Sequence, residues 1–384
     1  MKILSIFGTR PEAIKMAPLI KALESEPGIT SVVCVTGQHR AMLDQVLGLF
    51  EIRPEHDLGV MVPDQTLNGL SARVLGALDT LLTSISPDRV LVHGDTTTAM
   101  AASLAAFHRR IPVGHVEAGL RTYDMGQPWP EELNRRVVDI ASDLLFAPTA
   151  SARSNLEAER LAGRIVVTGN TVIDALRLTT DRLRGDADLR ARLDTQFNQL
   201  RPDRKLLLVT GHRRENFGAG FANICSALAA LSLRKDIEIV YPIHLNPNVR
   251  GPVRAALEDR PNIHLIEPQD YIPFVYLMQR SHLILTDSGG VQEEAPSLGR
   301  PVLVMRDVTE RPEAVASGNV RLVGTDPQRI VREVAALLDR EAISAAFVPH
   351  GSPYGDGGAA ARITATLTGR SVEEFSPQFP VAAE

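Results

Sequence analysis

The sequence predicts an α/β protein with two parallel sheets, each in a domain of its own. Short apolar runs alternate with longer amphipathic stretches along the chain, which is the pattern of buried parallel strands joined by helices. These runs fall into two series, separated by the charged segment from Asp181 to Asp203. The chain has 384 residues, 44% of them hydrophobic, so each of two domains can bury its own core.

The predicted strands follow this rhythm in chain order. The first series lies at residues 3–7, 31–35, 89–92, 113–116, 144–146 and 165–167. The second series lies at residues 206–209, 237–241, 263–266, 283–285, 302–305 and 320–323. The amphipathic stretches between them are predicted to be the helices that connect parallel strands.

Composition and charge exclude several classes of partner. The net charge is -5 with no long block of like charge, which argues against a nucleic-acid partner. No apolar run reaches the ~18 to 20 residues of a membrane span, and the N-terminus lacks a signal-peptide pattern, so we expect a cytoplasmic protein without a membrane partner. Cys34 and Cys225 lie in apolar surroundings and are expected to be buried small residues, without a disulfide or a metal site.

The segment from Asp287 to Pro296 carries the most informative local pattern. It follows an apolar run and is predicted to form a tight turn and a helix N-terminus. The unpaired N–H groups of a helix start, together with Gly289 and Gly290 after Ser288, suit the binding of a diphosphate. Glu294, one helical turn on, can accept hydrogen bonds from a ribose diol. The alternative is an ordinary tight turn in which Ser288 caps the helix.

Two basic residues follow the first predicted strand. Gly8 to Glu12 is predicted to be a turn with proline in the first turn of a helix, a position that tolerates it. Arg10 and Lys15 would then lie at the carboxyl end of a strand, where open α/β sheets bind ligands. They can also be read as two ordinary surface charges.

Three carboxylates and one histidine are candidates for proton transfer. Asp95 follows a strand, although it can equally be an N-cap. Glu117 stands at a buried strand end where no capping role explains it, and it is a functional candidate on that ground. Glu131 begins a predicted helix, and its alternative is a solvated ion pair with Arg135, four residues on. His212 follows the strand at 206–209 and is expected to be catalytic or to contact substrate, the alternative being a structural histidine.

A series of motifs extends these local readings to nearly the whole chain. In order they are FGTRPEAIKMAPL, LVHGDTTTA, GHVEAGLRT, WPEELNRR, GHRREN, YPIHLNPNVR, EPQDYIPF, TDSGGVQEEAPSLG, RPVLVMRDVTERPEA and SPYGDGG. The chain thereby resembles the bacterial non-hydrolysing UDP-N-acetylglucosamine 2-epimerases. The resemblance implies two Rossmann-like domains facing a cleft, the glycosyltransferase-B arrangement. It places the first domain at residues 1–170 and the UDP-binding domain at 171–358, with a C-terminal helix at about 359–384 packing back on the first.

The resemblance also assigns roles to residues of the two domains. Arg10 and Lys15 become diphosphate partners, Gln269 and Phe274 contact the uracil, and Arg311 lies at the substrate. The remaining assignments are UDP binding by Ser288, Gly289, Gly290 and Glu294, and catalysis by Asp95, Glu117, Glu131 and His212. The family's activity implies UDP-N-acetylglucosamine and UDP as ligands, precursors of bacterial cell-surface polysaccharides as products, and a homodimer.

The chemistry of the substrate restricts the reaction. The C2 proton of an N-acetylhexosamine is not acidic, so inversion needs either transient oxidation or loss of a leaving group from C1. The sequence has no complete G-x-G-x-x-G pattern for a nicotinamide, which favours elimination of UDP to 2-acetamidoglucal and re-addition. No cofactor and no metal are expected. Which carboxylate serves which face stays open.

Other activities are possible for such a site. A hydrolysing epimerase would release N-acetylmannosamine and UDP, a glycosyltransferase would need an acceptor, and a non-catalytic sensor should have lost some of the candidate acids. Relatives activated by their own substrate carry a glutamine and an arginine where this chain has Ala41 and Asp64. Activation by substrate therefore stays open as well.

Overall fold

The computed structural model describes residues 1–37, 40–62, 65–309, 311–339 and 352–377. Its strands are β1 (Lys2–Phe7), β2 (Thr30–Val35), β3 (His56–Asp57), β4 (Arg89–His93), β5 (Val113–Val116), β6 (Leu144–Ala147), β7 (Arg164–Val167), β8 (Lys205–Thr210), β9 (Ile237–Pro242), β10 (Ile263–Ile266), β11 (Leu283–Thr286), β12 (Val302–Val304) and β13 (Val320–Leu322). Its helices are α1 (Arg10–Glu24), α2 (Arg40–Leu49), α3 (Leu67–Ile85), α4 (Thr97–His108), α5 (Glu131–Ala141), α6 (Ala150–Ala158), α7 (Thr171–Gly185), α8 (Ala187–Gln196), α9 (Ala219–Leu231), α10 (Pro247–Leu257), α11 (Tyr271–Arg280), α12 (Gly289–Ser297), α13 (Pro312–Ala316), α14 (Pro327–Leu338) and α15 (Ala359–Leu367).

The strands form two parallel sheets with the same internal order. The first sheet has the order β3-β2-β1-β4-β5-β6-β7, and the second has the order β10-β9-β8-β11-β12-β13. In each sheet the chain runs outward from the first strand and then returns to continue on its other side. This is the doubly wound Rossmann order. The predicted fold class, α/β with two Rossmann-like sheets, is confirmed, whereas the two-residue edge strand β3 is too short to have been predicted from periodicity.

The chain divides into two units. The first comprises Met1–Ala175 and Tyr354–Ser376, and the second comprises Leu176–Pro353. The sequence placed these boundaries at residues 170 and 358. Each unit has its own apolar core, built around Leu4, Ile6 and Val92 in the first and around Leu207 and Leu285 in the second. These side chains are fully buried because both faces of each parallel sheet are covered by helices.

The C-terminal helix is shorter than the predicted 359–384. α15 ends at Leu367, because Gly369 adopts a φ of 73°, a left-handed conformation that ends helices. The chain then continues without helix, and the N–H of Phe375 donates to the carbonyl of Val167 at 2.9 Å. The C-terminal segment thus belongs to the first unit.

Asp174 caps α15 from another helix. Its carboxylate, on α7, accepts hydrogen bonds from the N–H groups of Ala359 at 3.3 Å and Ala360 at 2.9 Å, while α15 has no side-chain cap of its own. Burial raises the pKa of Asp174 to about 6, against these two hydrogen bonds, and nearby Asp356 adds to the rise. The folded state therefore binds this proton more tightly than the unfolded state does.

This pKa gives a testable pH dependence. Between about pH 6 and pH 4 the folded protein takes up a proton that the unfolded chain does not, so Asp174 makes the protein more stable as the pH falls through this window. In Asp174→Asn the contribution should disappear, changing the pH dependence of unfolding by on the order of 2 kcal/mol. Denaturant unfolding of both proteins at pH 4 and pH 7 measures the difference. Identical pH slopes for the two proteins would contradict the assignment.

Candidate functional site

The turn after β1 is closed by its own glutamate. Glu12 accepts hydrogen bonds from the N–H of Gly8 at 3.0 Å, the N–H of Thr9 at 2.7 Å and the hydroxyl of Thr96 at 2.7 Å. Burial raises the pKa of Glu12, although these hydrogen bonds favour its ionised form. A Cβ at Gly8 would lie 2.1 Å from Thr36 Oγ1, so only glycine fits. The N–H groups of this turn are occupied by a carboxylate, and Arg10 is the first residue of α1.

Glu117 is the centre of a buried polar cluster at the end of β5. Its Oε1 accepts the ammonium of Lys15 and the amide of Asn170, the latter at 2.8 Å. Its Oε2 lies 3.8 Å from His93 Nε2. Burial opposes the charged form, but Lys15 and Asn170 outweigh it and hold the pKa of Glu117 well below its usual range. Lys15, predicted as a diphosphate partner, is paired with this carboxylate, and its contact with a diphosphate stays a prediction.

The backbone of Glu117 is strained. Its φ is 72°, a left-handed conformation that is costly for a residue with a Cβ. The N–H groups of Glu117 and Ala118 both donate to the carbonyl of Phe146, at 3.1 and 3.0 Å. Such strain persists where the surrounding structure fixes it, and it is concentrated at functional sites. No sequence pattern indicates it, because the dihedral is set by the packing of β5 against β6.

Asp95 and Glu131 are arranged by α5. Arg135 donates from Nε to Asp95 Oδ2 at 3.1 Å, and Asn134 donates to the carbonyl of Asp95 at 2.9 Å. Asp95 is not the N-cap of α4, because Thr96 has that role and accepts from the N–H of Ala99. The alternative ion pair between Glu131 and Arg135 is replaced by contacts of Arg135 with Asp95 and Glu132. Glu131 Oε2 is buried without a hydrogen-bond partner among the described residues, which leaves it available to a ligand.

Behind these residues lies a buried ion network that the sequence did not indicate. His115 contacts Asp139 through Nδ1 at 2.6 Å and the carbonyl of Gly94 through Nε2 at 2.8 Å. Arg121 donates to the other oxygen of Asp139 at 2.7 Å and also pairs with Glu159. A Cβ placed on Gly94 would lie 3.5 Å from Glu117 Oε2. The network therefore contacts the loop after β4, in which Gly94 lies beside Glu117 and precedes Asp95.

In the second unit, Asp287 joins the two strand ends at the switch point of the sheet. It is fully buried and accepts from the N–H of His212 at 2.9 Å, the N–H of Arg213 at 2.9 Å and the amide of Asn216 at 3.3 Å. The ring of His212 is 42% exposed and stacks on His244, with centroids 5.8 Å apart. The ends of β8 and β11 are thus fixed at the place where doubly wound sheets bind ligands.

The N-terminus of α12 has the features expected of an anion site. Ser288 is the N-cap residue, but its side chain makes no capping hydrogen bond. The alternative of a capping serine is therefore right about the position of Ser288 and wrong about the hydrogen bond. Arg311 donates from Nε to Glu293 at 2.6 Å. Its guanidinium lies against Gly289, where a Cβ would approach Cζ to 2.6 Å. The planar guanidinium therefore lies beside the first N–H groups of α12, at the positive end of the helix dipole.

The remaining predicted residues lie nearby on α11, on α12 and in the loop before α11. Glu294 is buried and accepts from the hydroxyl of Tyr271 at 2.6 Å. Phe274 is half-buried on α11. Gln269 donates to the carbonyl of Glu267 at 2.6 Å and accepts from Gln196 at 2.9 Å. A uracil would have to replace these contacts of the Gln269 amide, or meet the backbone instead.

Some expectations lie outside what the structure describes. Asp64 is not among the described residues, and nothing is described of the side chain of Ala41. Within the described ranges, no cluster of His, Cys, Asp and Glu has the arrangement of a metal site. Each described helix is too short or too polar to cross a bilayer. Cys34 and Cys225 are both buried, as the sequence predicts.

Comparison with known proteins decides the family. A family model described as UDP-N-acetylglucosamine 2-epimerase matches residues 21–368. The chain belongs to the UDP-N-acetylglucosamine 2-epimerase family. The enzyme of that name from Escherichia coli K12 is 57% identical over 369 residues, which are 96% of this chain and 98% of that protein.

Two solved structures of the family are also similar. The Neisseria meningitidis UDP-GlcNAc 2-epimerase, bound to UDP-GlcNAc, has a TM-score of 0.90 and 50% identity, covering 96% of this chain and 100% of that one. The Methanocaldococcus jannaschii epimerase, in complex with UDP-GlcNAc and UDP, has a TM-score of 0.81 and 34% identity, covering 96% and 99%. The resemblance on which the sequence motifs rest is thereby confirmed at the level of the family.

Proposed function

We propose that this chain interconverts UDP-N-acetylglucosamine and UDP-N-acetylmannosamine by inversion at C2, without a cofactor and without net hydrolysis. The observation that carries the proposal is Glu117: a buried carboxylate on a strained backbone, held by Lys15 at the end of a central strand. Family membership supplies the substrate class. An ion pair that serves stability alone does not require strained backbone. A base that must face a substrate in one orientation can require a glutamate with left-handed φ.

The first step is elimination. A carboxylate of the first unit takes the C2 proton, the C–H electron pair becomes the C1–C2 double bond of 2-acetamidoglucal, and the C1–O bond breaks with its electrons leaving on UDP. Glu117 is the strongest candidate for this base, because its Oε2 makes no contact as close as those of Oε1 to Lys15 and Asn170. No external oxidant is required, since the C2 carbon is not oxidised overall.

The second unit supplies the groups that stabilise the leaving diphosphate. Charge develops on UDP as the C1–O bond breaks, and Arg311 together with the first N–H groups of α12 offers fixed positive ends for it. Glu294, one turn further along α12, is buried and held by Tyr271, which fixes a carboxylate for the ribose hydroxyls. Arg10 of the first unit is proposed as a further cation for the diphosphate.

The second step reverses the first on the opposite face. UDP adds back to C1 while a proton is delivered to C2 from the side opposite to its loss. This delivery requires a second proton carrier, and Asp95, Glu131 and His212 are the proposed candidates. Asp95 is paired with Arg135, while the buried oxygen of Glu131 has no partner among the described residues. Of these two carboxylates, Glu131 is therefore the one with an oxygen open to contact the sugar.

Product analysis in deuterated water tests the proposed function. Incubation with UDP-N-acetylglucosamine should give UDP-N-acetylmannosamine carrying deuterium at C2, and starting material should gain deuterium as well. Accumulation of free N-acetylmannosamine and UDP in equal amounts would show a hydrolysing epimerase instead. Epimerised product that keeps the original proton would contradict the elimination, because a base that exchanges with solvent loses that proton.

We also propose a homodimer, in which a second copy covers apolar side chains of the first unit. Leu133 and Ile140 lie on the outer face of α5 and are 47% and 69% exposed, and Phe107 at the end of α4 is 58% exposed. An isologous contact between two copies would bury such a stripe in one step. Ile140→Asp should therefore lower the mass measured by light scattering to that of the monomer, while Leu233→Asp, at an exposed leucine of the second unit, should not. A monomeric wild-type protein at micromolar concentration would exclude the dimer.

The cellular setting remains a prediction from the sequence. A cytoplasmic location and a supply of precursors for bacterial cell-surface polysaccharides follow from the resemblance to the bacterial enzymes. Cell fractionation and the loss of N-acetylmannosamine-derived polymers on deletion of the gene are the corresponding measurements. Unchanged surface polymers after deletion would contradict the proposed role.

A further inference from the structure

His93, the last residue of β4, has a buried imidazole ring without a hydrogen-bond partner among the described residues. The residue is 3% exposed, and neither Nδ1 nor Nε2 has a hydrogen-bond partner among the described residues. Unpartnered buried polar atoms are rare in folded proteins because they lose their hydration without compensation. The His93 ring has two such atoms and lies at the switch point of the sheet. A functional role would explain why a histidine is kept at this position.

The ring faces one specific oxygen. His93 Nε2 lies 3.8 Å from Glu117 Oε2, which is too far for a hydrogen bond and close enough for a small shift to form one. The other oxygen, Oε1, is already bound by Lys15 and Asn170. The oxygen that is open to accept a proton is therefore the one beside the histidine.

The charge state of the ring follows from its surroundings. Burial lowers the pKa of His93 to about 3, against the attraction of Glu117, and the nearby Lys15 and His115 also disfavour a second positive charge. The ring is consequently neutral at physiological pH. A neutral imidazole protonated on Nδ1 offers a lone pair at Nε2.

Glu117, in contrast to His93, is held in its charged form. Lys15 and Asn170 stabilise its ionised form strongly, and a carboxylate stabilised in this way binds a proton poorly. A base that takes a proton from carbon needs some stabilisation of its protonated form as well. The neutral ring of His93, 3.8 Å from Oε2, is placed to accept a hydrogen bond from the protonated carboxyl.

We propose that His93 is a positioning residue for the proton transfer: its Nε2 accepts a hydrogen bond from Glu117 once Oε2 carries the substrate proton. The inference rests on the proposed function. In the elimination step the proton moves from C2 to Oε2, the O–H then points at Nε2, and it remains on Oε2 until it is returned or exchanged. The histidine neither gains nor loses a proton, and it contacts the substrate only through Glu117.

Two variants separate this role from a structural one. His93→Leu removes the acceptor at similar volume, and His93→Gln keeps an acceptor oxygen near the position of Nε2. We expect the leucine variant to lose about 100-fold in kcat, with KM within about threefold, and the glutamine variant to recover to within about tenfold of wild type. The melting temperature of the leucine variant should equal or exceed that of wild type, since two unpartnered buried atoms are removed.

Two further readouts link the effect to Glu117. In a double-mutant cycle, His93→Leu should add almost nothing to the loss caused by Glu117→Gln, because the histidine acts through that carboxylate. The acidic limb of the kcat/KM profile should move to lower pH in His93→Leu, since the protonated glutamate loses its partner. Glu117, Lys15 and His115 are the charged or titratable groups that face the ring.

A histidine of the second unit provides the matched control. His282 accepts from the N–H of Leu206 at 3.0 Å, so His282→Leu should lower the melting temperature and leave kcat unchanged. The proposal is overturned if His93→Leu stays within threefold of wild-type kcat, or if the losses in kcat of His93→Leu and Glu117→Gln are fully additive in the double mutant. It is also overturned if activity and melting temperature fall together in His93→Leu and neither recovers in His93→Gln. The activity of the wild-type protein is measured before that of any variant. If the wild-type protein does not epimerise the substrate, the proposed function itself is refuted.

Discussion

Replacing Glu117 by glutamine is expected to lower turnover by about 100-fold or more, because a positioned acid or base contributes roughly 10² to 10⁴ to a rate. The amide keeps the shape of the side chain and can still accept from Lys15 and Asn170, but it cannot take a proton from C2. UDP affinity should stay within a few-fold of wild type, since Glu117 is not among the groups proposed to hold the nucleotide. Steady-state kinetics with UDP-N-acetylglucosamine and calorimetry with UDP measure the two quantities.

The matched control for this variant is Glu238→Gln. Glu238 is also buried and paired, with Arg204 at 3.0 Å and with His264, but it lies on β9 at the amino end of its sheet, away from the candidate site. The control should keep its turnover, which separates loss of a base from loss of a buried charge. Near wild-type turnover in Glu117→Gln would remove this residue from the proton transfer and transfer the role to Asp95 or Glu131.

Replacing Arg311 by alanine is expected to have the largest effect on nucleotide binding. A charge-assisted contact is worth roughly 1.5 to 3 kcal/mol, which corresponds to a loss of about 10- to 150-fold in UDP affinity. The guanidinium lies against Gly289 at the start of α12 and is oriented by Glu293. Arg311→Lys should restore part of the loss, because it keeps the charge without the planar fork.

A glycine substitution tests the same geometry without removing a charge. In Gly289→Ala the new Cβ would approach the guanidinium of Arg311 to 2.6 Å, so the arginine must move. This variant should weaken UDP binding in calorimetry, whereas Gly251→Ala, at a helical glycine with open space around it, should not. Arg254→Ala, at a partly exposed arginine paired with Glu258, is the corresponding control for loss of an arginine. Unchanged UDP affinity in both Arg311→Ala and Gly289→Ala would place the diphosphate elsewhere.

Much of the fold could be predicted because its signals are local. The alternation of apolar runs and amphipathic stretches indicates strands and helices, and it correctly divided them into two series around the segment that forms the end of α7 and α8. The helix start at Ser288 also follows from turn chemistry within a few residues. The helix predicted to about residue 384 ends at Leu367, because Gly369 adopts a left-handed conformation that a glycine permits but does not require.

The partners of the charged residues could not be predicted in the same way. Lys15 and Glu117 are 102 positions apart in sequence, and the pair exists because β1 and β5 end at the same edge of the sheet. Arg135 has a local partner available in Glu131, yet it turns to Asp95, which the end of β4 brings beside α5. Arg311 reaches Gly289 only because the end of β12 lies next to the end of β11.

The sequence by itself determined the two Rossmann-like sheets, the family and the set of residue types at the strand ends, since periodicity, turn chemistry and motif order are properties of neighbouring residues. Only the tertiary structure decided which cation neutralises which carboxylate, that Glu117 is strained and ion-paired, and that the buried ring of His93 has no hydrogen-bond partner among the described residues. The physical reason is that crossover connections bring distant strand ends to one edge of the sheet. Charges that are buried there attract each other far more strongly than they would in water.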